Sequence, residues 1–312
     1  MTGWKVNHQN TLKRGINKGN RTMDLDDFYN RAFSRNRGLI SELEQEKLRN
    51  VRVAIPGMGG MGGVHATTLA RTGIGQFTIA DFDEFDVHNI NRQHGAMAST
   101  VGQDKALVME SMIKDINPSA DIRVINEAID ADNVDTFLAD VDVMIDALEV
   151  FAMDARRLIF RRAHELGIPV ISVAPVGFSA VLFIFSPDGM DYDTFFGLED
   201  DMSQNELVLN FMAGIAGQGP HLKYMDVKGV DPTTGAAPSL GLACQIGSGI
   251  AATEVVSLML NKRKPKYVPR FSQFDTYDGS YKHYYRWWGA KNPIHQLRIK
   301  VLKKMVPAFA NK

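Results

Sequence analysis

From Val51 onward, short apolar runs alternate with longer stretches in which apolar residues recur every three or four positions. The short runs predict strands at Val51–Ile55, Phe77–Ala80, Ile122–Glu127, Val141–Asp146 and Val170–Val173. The periodic stretches predict helices at Val64–Arg71, Asp104–Ile116, Val134–Leu138 and Ala152–Glu165. Apolar strands separated by amphipathic helices imply an α/β fold: a doubly wound, mostly parallel, Rossmann-like sheet. Ala180–Phe185 adds a further strand, an antiparallel course being one option for it. Upstream, Leu25–Phe33 and Ser41–Arg49 read as two N-terminal helices, the second opened by a capping box of Ser41 and Glu44.

The first strand runs into a glycine-rich turn. Gly57, Gly59 and Gly62 fit G-x-G-x-x-G: one glycine for the tight turn, one for close approach to a phosphate, one for helix-on-sheet packing. The helix that follows presents its unpaired N–H groups to an anion. Asp81, at the end of the second strand, stands where a carboxylate meets a ribose hydroxyl. These features mark a nucleotide site without saying which nucleotide.

Composition adds limits. At 312 residues the chain can bury one large core with appendages. A net charge of -1 gives no global attraction to nucleic acid or membrane. The single cysteine, Cys244, excludes an intramolecular disulfide and a Cys-rich zinc site, which suits a reducing, cytoplasmic setting. No apolar leader opens the sequence. Pro238–Leu260 is apolar enough to suggest a membrane span, but Gln245, Ser248, Glu254 and Ser257 favour a buried core or interface helix, and no membrane insertion is expected.

Charge also divides the chain. Residues 1–22 carry five Lys/Arg and no acid and are expected to form a flexible basic arm. Residues 23–50 form the N-terminal helices, and 51–187 the nucleotide-binding core. Residues 188–237 comprise an exposed acidic connection, with seven acids and no cation between Pro187 and Glu206, and then a glycine-punctuated loop region from Phe211 to Pro238. Residues 238–312 hold the late apolar helix and a tail with 13 Lys/Arg against two acids after Leu260. The tail's run of Tyr281, Lys282, His283, Tyr284, Tyr285, Arg286, Trp287 and Trp288 suits either RNA or packing of its aromatics on the core. The acidic connection would suit a basic protein partner.

The loop after the second strand narrows the choice of nucleotide. Between Asp81 and Gln93 it gathers carboxylates, two asparagines and Arg92, and Lys105 opens the next helix. A pyrophosphate cradled by backbone N–H groups needs few extra cations. A triphosphate needs them, both at rest and as charge develops on the leaving pyrophosphate.

The ordered motifs carry a resemblance. Arg31 and Arg35, the glycines Gly57, Gly59, Gly60 and Gly62, and the pair Asp81 and Asp83 come first. Asn89, Arg92 and Gln93 follow, then Val101 to Lys105, Asn117-Pro118 and the Gly-rich helix Gly241–Leu260. Together they resemble the ThiF/MoeB/HesA superfamily of adenylyltransferases, relatives of the ubiquitin-activating enzymes, from about Phe28 to about Tyr277. The resemblance implies attack of a carboxylate on the α-phosphorus of ATP, with Mg2+, to give an acyl-adenylate and pyrophosphate. It implies Asp81 on the ribose, Gly59 and Gly60 under the nucleotide, and Asn89, Arg92 and Lys105 on the phosphates. Arg35 is then the arginine donated across a homodimer.

Three departures qualify it. The family's Asp-x-x-Asp for magnesium reads Asp146-Ala-Leu-Glu149 here, so Asp146 and Glu149 are the metal candidates. The paired zinc cysteines are absent, so no zinc is expected. The segment Lys228–Gly235, where relatives with a thioester step keep a cysteine, has none, and Cys244 reads as a buried structural thiol. The expected activity is adenylation without a thioester relay, on the C-terminus of a ubiquitin-like or sulfur-carrier protein, a peptide, or a modified tRNA base. Two alternatives are an ATP- or adenylate-binding scaffold that no longer catalyses, and an NAD-dependent oxidoreductase.

Overall fold

A computed structural model describes residues 24–215, 219–225 and 238–305. The expected basic arm at 1–22 and the segment Lys228–Gly235 lie outside the described residues. Two short helices, α1 (Leu25–Ala32) and α2 (Glu42–Arg49), precede the sheet. The capping box forms as the spacing requires: the Glu44 N–H donates to Ser41 Oγ at 3.3 Å and the Ser41 N–H to Glu44 Oε2 at 2.9 Å.

Among the described residues the sheet has eight strands in the order β3-β2-β1-β4-β5-β6-β7-β8. They are β1 (Arg52–Pro56), β2 (Gln76–Ala80), β3 (Asp121–Ile125), β4 (Val143–Asp146), β5 (Val170–Val176), β6 (Ser179–Phe185), β7 (Arg270–Asp275) and β8 (Ser280–Tyr285). The first five pair in parallel, and β6, β7 and β8 add on antiparallel. Successive side chains alternate between faces, so each strand feeds two cores. Val53, Ile55, Phe77, Ile79, Ile145, Ile171 and Val173 join a cluster under α3 (Gly62–Thr72), α4 (Lys105–Ile116) and α9 (Gly241–Met259). Ala54, Met144, Val170, Val181 and Phe183 face the opposite core, built with α5 (Val134–Leu138), α6 (Met153–Glu165), α7 (Tyr192–Phe196), α8 (Gln204–Ile215) and α10 (Pro293–Met305). Layers of helix on both faces are the doubly wound arrangement that the periodicity implies.

Two stretches differ from the sequence expectation. The acidic connection carries α7, whose Tyr192, Phe195 and Phe196 are buried, and its acids are largely engaged. Asp191 caps α7 through the Thr194 N–H at 2.7 Å. Asp193 and Asp200 bind Arg157 and Arg161 at 2.6 to 3.1 Å. A carboxylate held by an arginine fork is a poor docking charge for a basic partner. The glycine-punctuated region starts later than expected, because α8 runs on to Ile215. Its Leu207, Val208, Leu209, Asn210, Phe211 and Ala213 are all buried, so its polarity shows little helical period.

After Leu260 the chain supplies β7, β8 and α10, with Phe271 stacked on Phe183 at 5.2 Å and Arg286 over the Phe195 ring at 4.5 Å. Tyr281, Tyr285, Trp287 and Trp288 stay exposed. The apolar helix α9 is long and apolar enough to cross a membrane by length and composition, and half of its most apolar window is buried. Its Gly247 faces Met61 on one side and Val173 and Ala180 on the other, so small residues let it lie close to the sheet.

Candidate functional site

Strand order reverses between β1 and β4: β2 and β3 lie on one side of β1, β4 and β5 on the other. In such sheets a crevice opens at this switch point, beyond the carboxyl ends of the strands. The glycine loop sits there. Gly57 leaves β1 with φ +91, and an added Cβ would stand 2.7 Å from the Ala147 carbonyl oxygen, on the loop after β4. A Cβ on Gly62 would lie 1.7 Å from the Gly57 carbonyl oxygen. Two of the fingerprint glycines are therefore required by backbone-on-backbone contact.

Gly59 and Gly60 serve differently. Their missing side chains face the polar wall: Gln93 Nε2 lies 3.6 Å from the Cβ position of Gly59, and Arg92 Cγ and Cys244 Sγ lie 3.5 and 3.4 Å from that of Gly60. Helix α3 begins without a side-chain cap, leaving first-turn N–H groups for an anion.

Asp81 fastens this loop to the end of β2. Its Oδ2 accepts the Met58 N–H at 2.6 Å and its Oδ1 the Asp83 N–H at 2.8 Å. Burial pushes its carboxyl pKa up, while the two N–H donors and nearby Lys105 pull it back. Asp83 in turn holds Lys105: Nζ donates to Oδ2 at 3.0 Å, and Lys105 is only 4% exposed. A lysine buried at the start of α4 with one half-exposed acid partner is a charge held in place at the edge of the crevice.

The short turn Val87–Asn89 brings the remaining residues up. Asn89 is buried, and its Oδ1 accepts the Asp86 N–H at 3.0 Å, so one of its polar atoms locks the turn. Arg92 is half-buried; Nη1 donates to the His88 carbonyl and to Asn91 Oδ1, both at 3.0 Å. Gln93 is buried under Gly59, and its Oε1 has no hydrogen-bond partner among the described residues. A buried acceptor without a donor costs about 1–3 kcal/mol, and a nucleotide amine or hydroxyl that reached it would remove that cost. The bare glycines, the uncapped helix, the buried cation and this acceptor fit a nucleotide.

Two expected residues stand apart from this group, Arg35 by position and Asp146 by its partners. Arg35 is exposed, in the turn Ser34–Asn36 between α1 and α2. Those helices dock at the far end of α3: Tyr29 Oη donates to the Gly73 carbonyl at 2.5 Å, and Asn36 Nδ2 to Thr72 O at 3.1 Å. With 11 residues in α3, that end is about 16 Å from the glycine loop at 1.5 Å per residue. Asp146 is the other. It is buried and pairs with Arg156 Nε at 3.3 Å, and Oδ2 also accepts Ser172 Oγ at 2.8 Å. Glu149, three residues on, is exposed. Among the described residues no cluster of three or more metal-ligating side chains occurs. One exposed carboxylate still fits a magnesium ion carried by phosphates, which usually takes one or two from the protein.

Cys244 belongs to the crevice wall rather than to an isolated core. Its sulfur lies under Gly60 and 3.8 Å from Ser239 Oγ, and burial pushes the thiol pKa up. Asn91 Nδ2 donates to the Ser239 carbonyl at 3.0 Å, and Gly241 abuts Asn91 O, so α9 starts directly against the 89–93 turn. Sequence spacing carries no sign of that contact, because 148 residues separate the partners.

Fold and crevice together define a Rossmann-type nucleotide-binding protein with a cation set added beyond the glycine loop. The chain belongs to the ThiF family, whose model matches residues 33–293. It is 35% identical over 141 residues to the tRNA threonylcarbamoyladenosine dehydratase of Bacillus subtilis, covering 45% of this chain and 55% of that one. It is 30% identical over 142 residues to the molybdopterin-synthase adenylyltransferase of Salmonella typhimurium, covering 46% and 56%. The chain thus spans about half the length of the curated relatives it matches. Among solved structures it is similar to PaaA (TM-score 0.63, 24% identity, 85% of this chain and 84% of that one). It is also similar to the ATP complex of Escherichia coli MccB (TM-score 0.56, 18% identity, 79% and 66%). At these identities the structural likeness establishes the fold.

Proposed function

We propose that the protein is an ATP-dependent adenylyltransferase that activates a carboxylate as its acyl-adenylate. The observation that carries this reading is the buried Lys105, held by Asp83 beside a glycine loop that Asp81 ties in place. A dinucleotide site has little use for such a cation. A triphosphate does, and family membership favours this reading over hydride transfer.

In the reaction, a carboxylate oxygen attacks the α-phosphorus, the bond from that phosphorus to the α,β-bridging oxygen breaks, and pyrophosphate leaves with the electron pair. No general base is needed, because a carboxylate is ionised at neutral pH. Catalysis then rests on position and charge. The N–H groups of the glycine loop and α3 receive phosphate oxygens, and Lys105 exchanges part of its pairing with Asp83 for the triphosphate. Arg92, tethered through Nη1 alone among the described residues, turns its remaining N–H groups to the leaving group. Magnesium, when bound, neutralises charge on the phosphates, and Glu149 is the side chain that would hold it.

The acceptor of the activated carboxyl is not a thiol of this chain. The single cysteine is buried, and burial raises its pKa, both of which disfavour a thiolate nucleophile. The carboxylate belongs to a carrier-protein C-terminus, a peptide, or a modified tRNA base; names among the relatives and similar structures include a tRNA dehydratase, a molybdopterin-synthase adenylyltransferase and MccB with MccA. We further propose a cytoplasmic homodimer in which Arg35 serves the partner's crevice, since its own crevice is a helix length away. Mixing Arg35→Ala with Arg92→Ala protomers, under conditions of shown subunit exchange, restores part of the activity if Arg35 acts in trans. A mixture that stays inactive refutes that role. ATP–pyrophosphate exchange tests the chemistry itself; ATP binding without exchange against any carboxylate would favour the scaffold alternative.

A further inference from the structure

The buried pair Asp146–Arg156 lies outside the roles assigned above, yet it touches the wall of the crevice. Arg156 is the largest fully buried side chain among the described residues. Its Nε donates to both Asp146 oxygens at 3.3 Å, its Nη2 donates to the Leu148 carbonyl, and its guanidinium stacks 4.7 Å over the Phe211 ring. Asp146 Oδ1 accepts the Leu148 N–H at 3.3 Å. Both backbone polar groups of Leu148 are therefore held, one by each member of the pair. The preceding carbonyl, of Ala147, presses on Gly57, and the following residue is Glu149.

We infer that Arg156 is a positioning residue: with Asp146 as its counter-ion, it clamps Leu148 and so fixes Glu149 toward a magnesium–nucleotide complex. Asp146 is then an anchor and not a metal ligand. The alternative for a charged pair this deep is fold stability alone, but stability gives little reason for one. Replacing a buried ion pair by apolar residues is often neutral or stabilising. A guanidinium also does what an apolar residue cannot: its planar fork bonds a carboxylate and a carbonyl at once. Lysine, with a single point of charge, would keep the ion pair and release Leu148.

The inference rests on the adenylation reading, and the test separates the two. Binding of a fluorescent ATP analogue is measured by anisotropy in EDTA and across a magnesium titration. The proteins are wild type, Arg156→Lys, the apolar pair Asp146→Leu/Arg156→Met, Glu149→Gln and Arg156→Lys/Glu149→Gln, each checked for cooperative thermal unfolding. In EDTA, Arg156→Lys and the apolar pair bind the analogue as wild type does. The magnesium concentration for half-maximal tightening rises about 10- to 100-fold in them, the range usual for residues that orient a ligand to a metal. Glu149→Gln shows a loss of the same size, and adding Arg156→Lys to it costs nothing further, because both substitutions remove one interaction. In exchange assays the KM for ATP rises at limiting magnesium and returns toward the wild-type value as magnesium is raised.

A wild-type magnesium response in Arg156→Lys and the apolar pair overturns the inference, as does full additivity with Glu149→Gln. Absence of analogue binding by the wild type overturns the nucleotide reading itself, and the inference with it. Should the apolar pair fail to fold, Arg156→Lys alone decides, since it keeps the buried charges matched.

Discussion

The glycine loop offers a matched comparison for one prediction. Gly57 and Gly38 have similar positive φ, +91 and +98, but differ in surroundings. A Cβ on Gly38 meets nothing within 4 Å, whereas one on Gly57 stands 2.7 Å from the Ala147 carbonyl oxygen. Gly38→Ala therefore costs only left-handed strain, about 1–2 kcal/mol. Gly57→Ala carries the same strain plus an overpacking cost of about 1–3 kcal/mol, because the obstacle is backbone and the chain must move. In a chain of this size each kcal/mol lowers Tm by about 2 °C, so Gly38→Ala falls by about 2–4 °C and Gly57→Ala by several degrees more. The displaced element is the loop that carries Glu149, so Gly57→Ala also loses nucleotide affinity while Gly38→Ala keeps it. Differential scanning fluorimetry and ATP-analogue binding read both effects. Equal Tm losses, with wild-type binding in Gly57→Ala, would refute the claim that the loop after β4 is seated on that glycine.

Other expectations follow from single groups. Burial holds the His65 pKa down at about 3, and neither ring nitrogen has a partner among the described residues. A histidine depressed in the folded state contributes stability that is full above its unfolded pKa, about 6.5, and is lost as pH falls toward 3. At pH 5.5 the loss is about 1.4 kcal/mol, and urea midpoints at pH 7.5 and 5.5 should show a gap that His65→Leu narrows; an unchanged gap would contradict it. Cys244→Ala should keep exchange activity within a few-fold and cost about 1 kcal/mol, and loss of exchange would point to a thiol relay after all. Cys244→Leu, by contrast, overpacks the wall beneath Gly60 and should cost about 1–3 kcal/mol of stability while weakening ATP-analogue binding about tenfold or more.

Strand–helix alternation made the parallel half of the sheet legible, and the glycines of the 51–83 stretch sit at the switch point between β1 and β4. Those features are local: their signals lie in hydropathy period, a capping box and glycines whose reason is backbone contact. The part that was not legible depends on partners distant in sequence. The acids at 193 and 200 read as a solvated run because their arginines, 157 and 161, lie more than 30 residues upstream on another element. Asp146 matched a magnesium motif by position, but its geometry is set by Arg156 from inside α6, where an arginine at a buried helical position looks like any surface cation. The late strands β7 and β8 were hidden by polarity, since an edge strand such as β8 exposes most of its side chains. The resemblance assigns Arg35 to a partner's crevice, and the fold sets it a helix length from the crevice of its own chain.

In the proposed reaction Arg92 and Lys105 grip the leaving phosphates of ATP while a carboxylate attacks. Incorporation of labelled pyrophosphate into ATP, assayed against a panel of carrier-protein, peptide and tRNA carboxylates, tests it most directly. Exchange is expected with one member of the panel, reduced by about 10²–10³ in Lys105→Ala, as for removal of one transition-state charge contact, and abolished in Arg92→Ala. Exchange that persists unchanged in Lys105→Ala, in a protein shown to be folded, would contradict it.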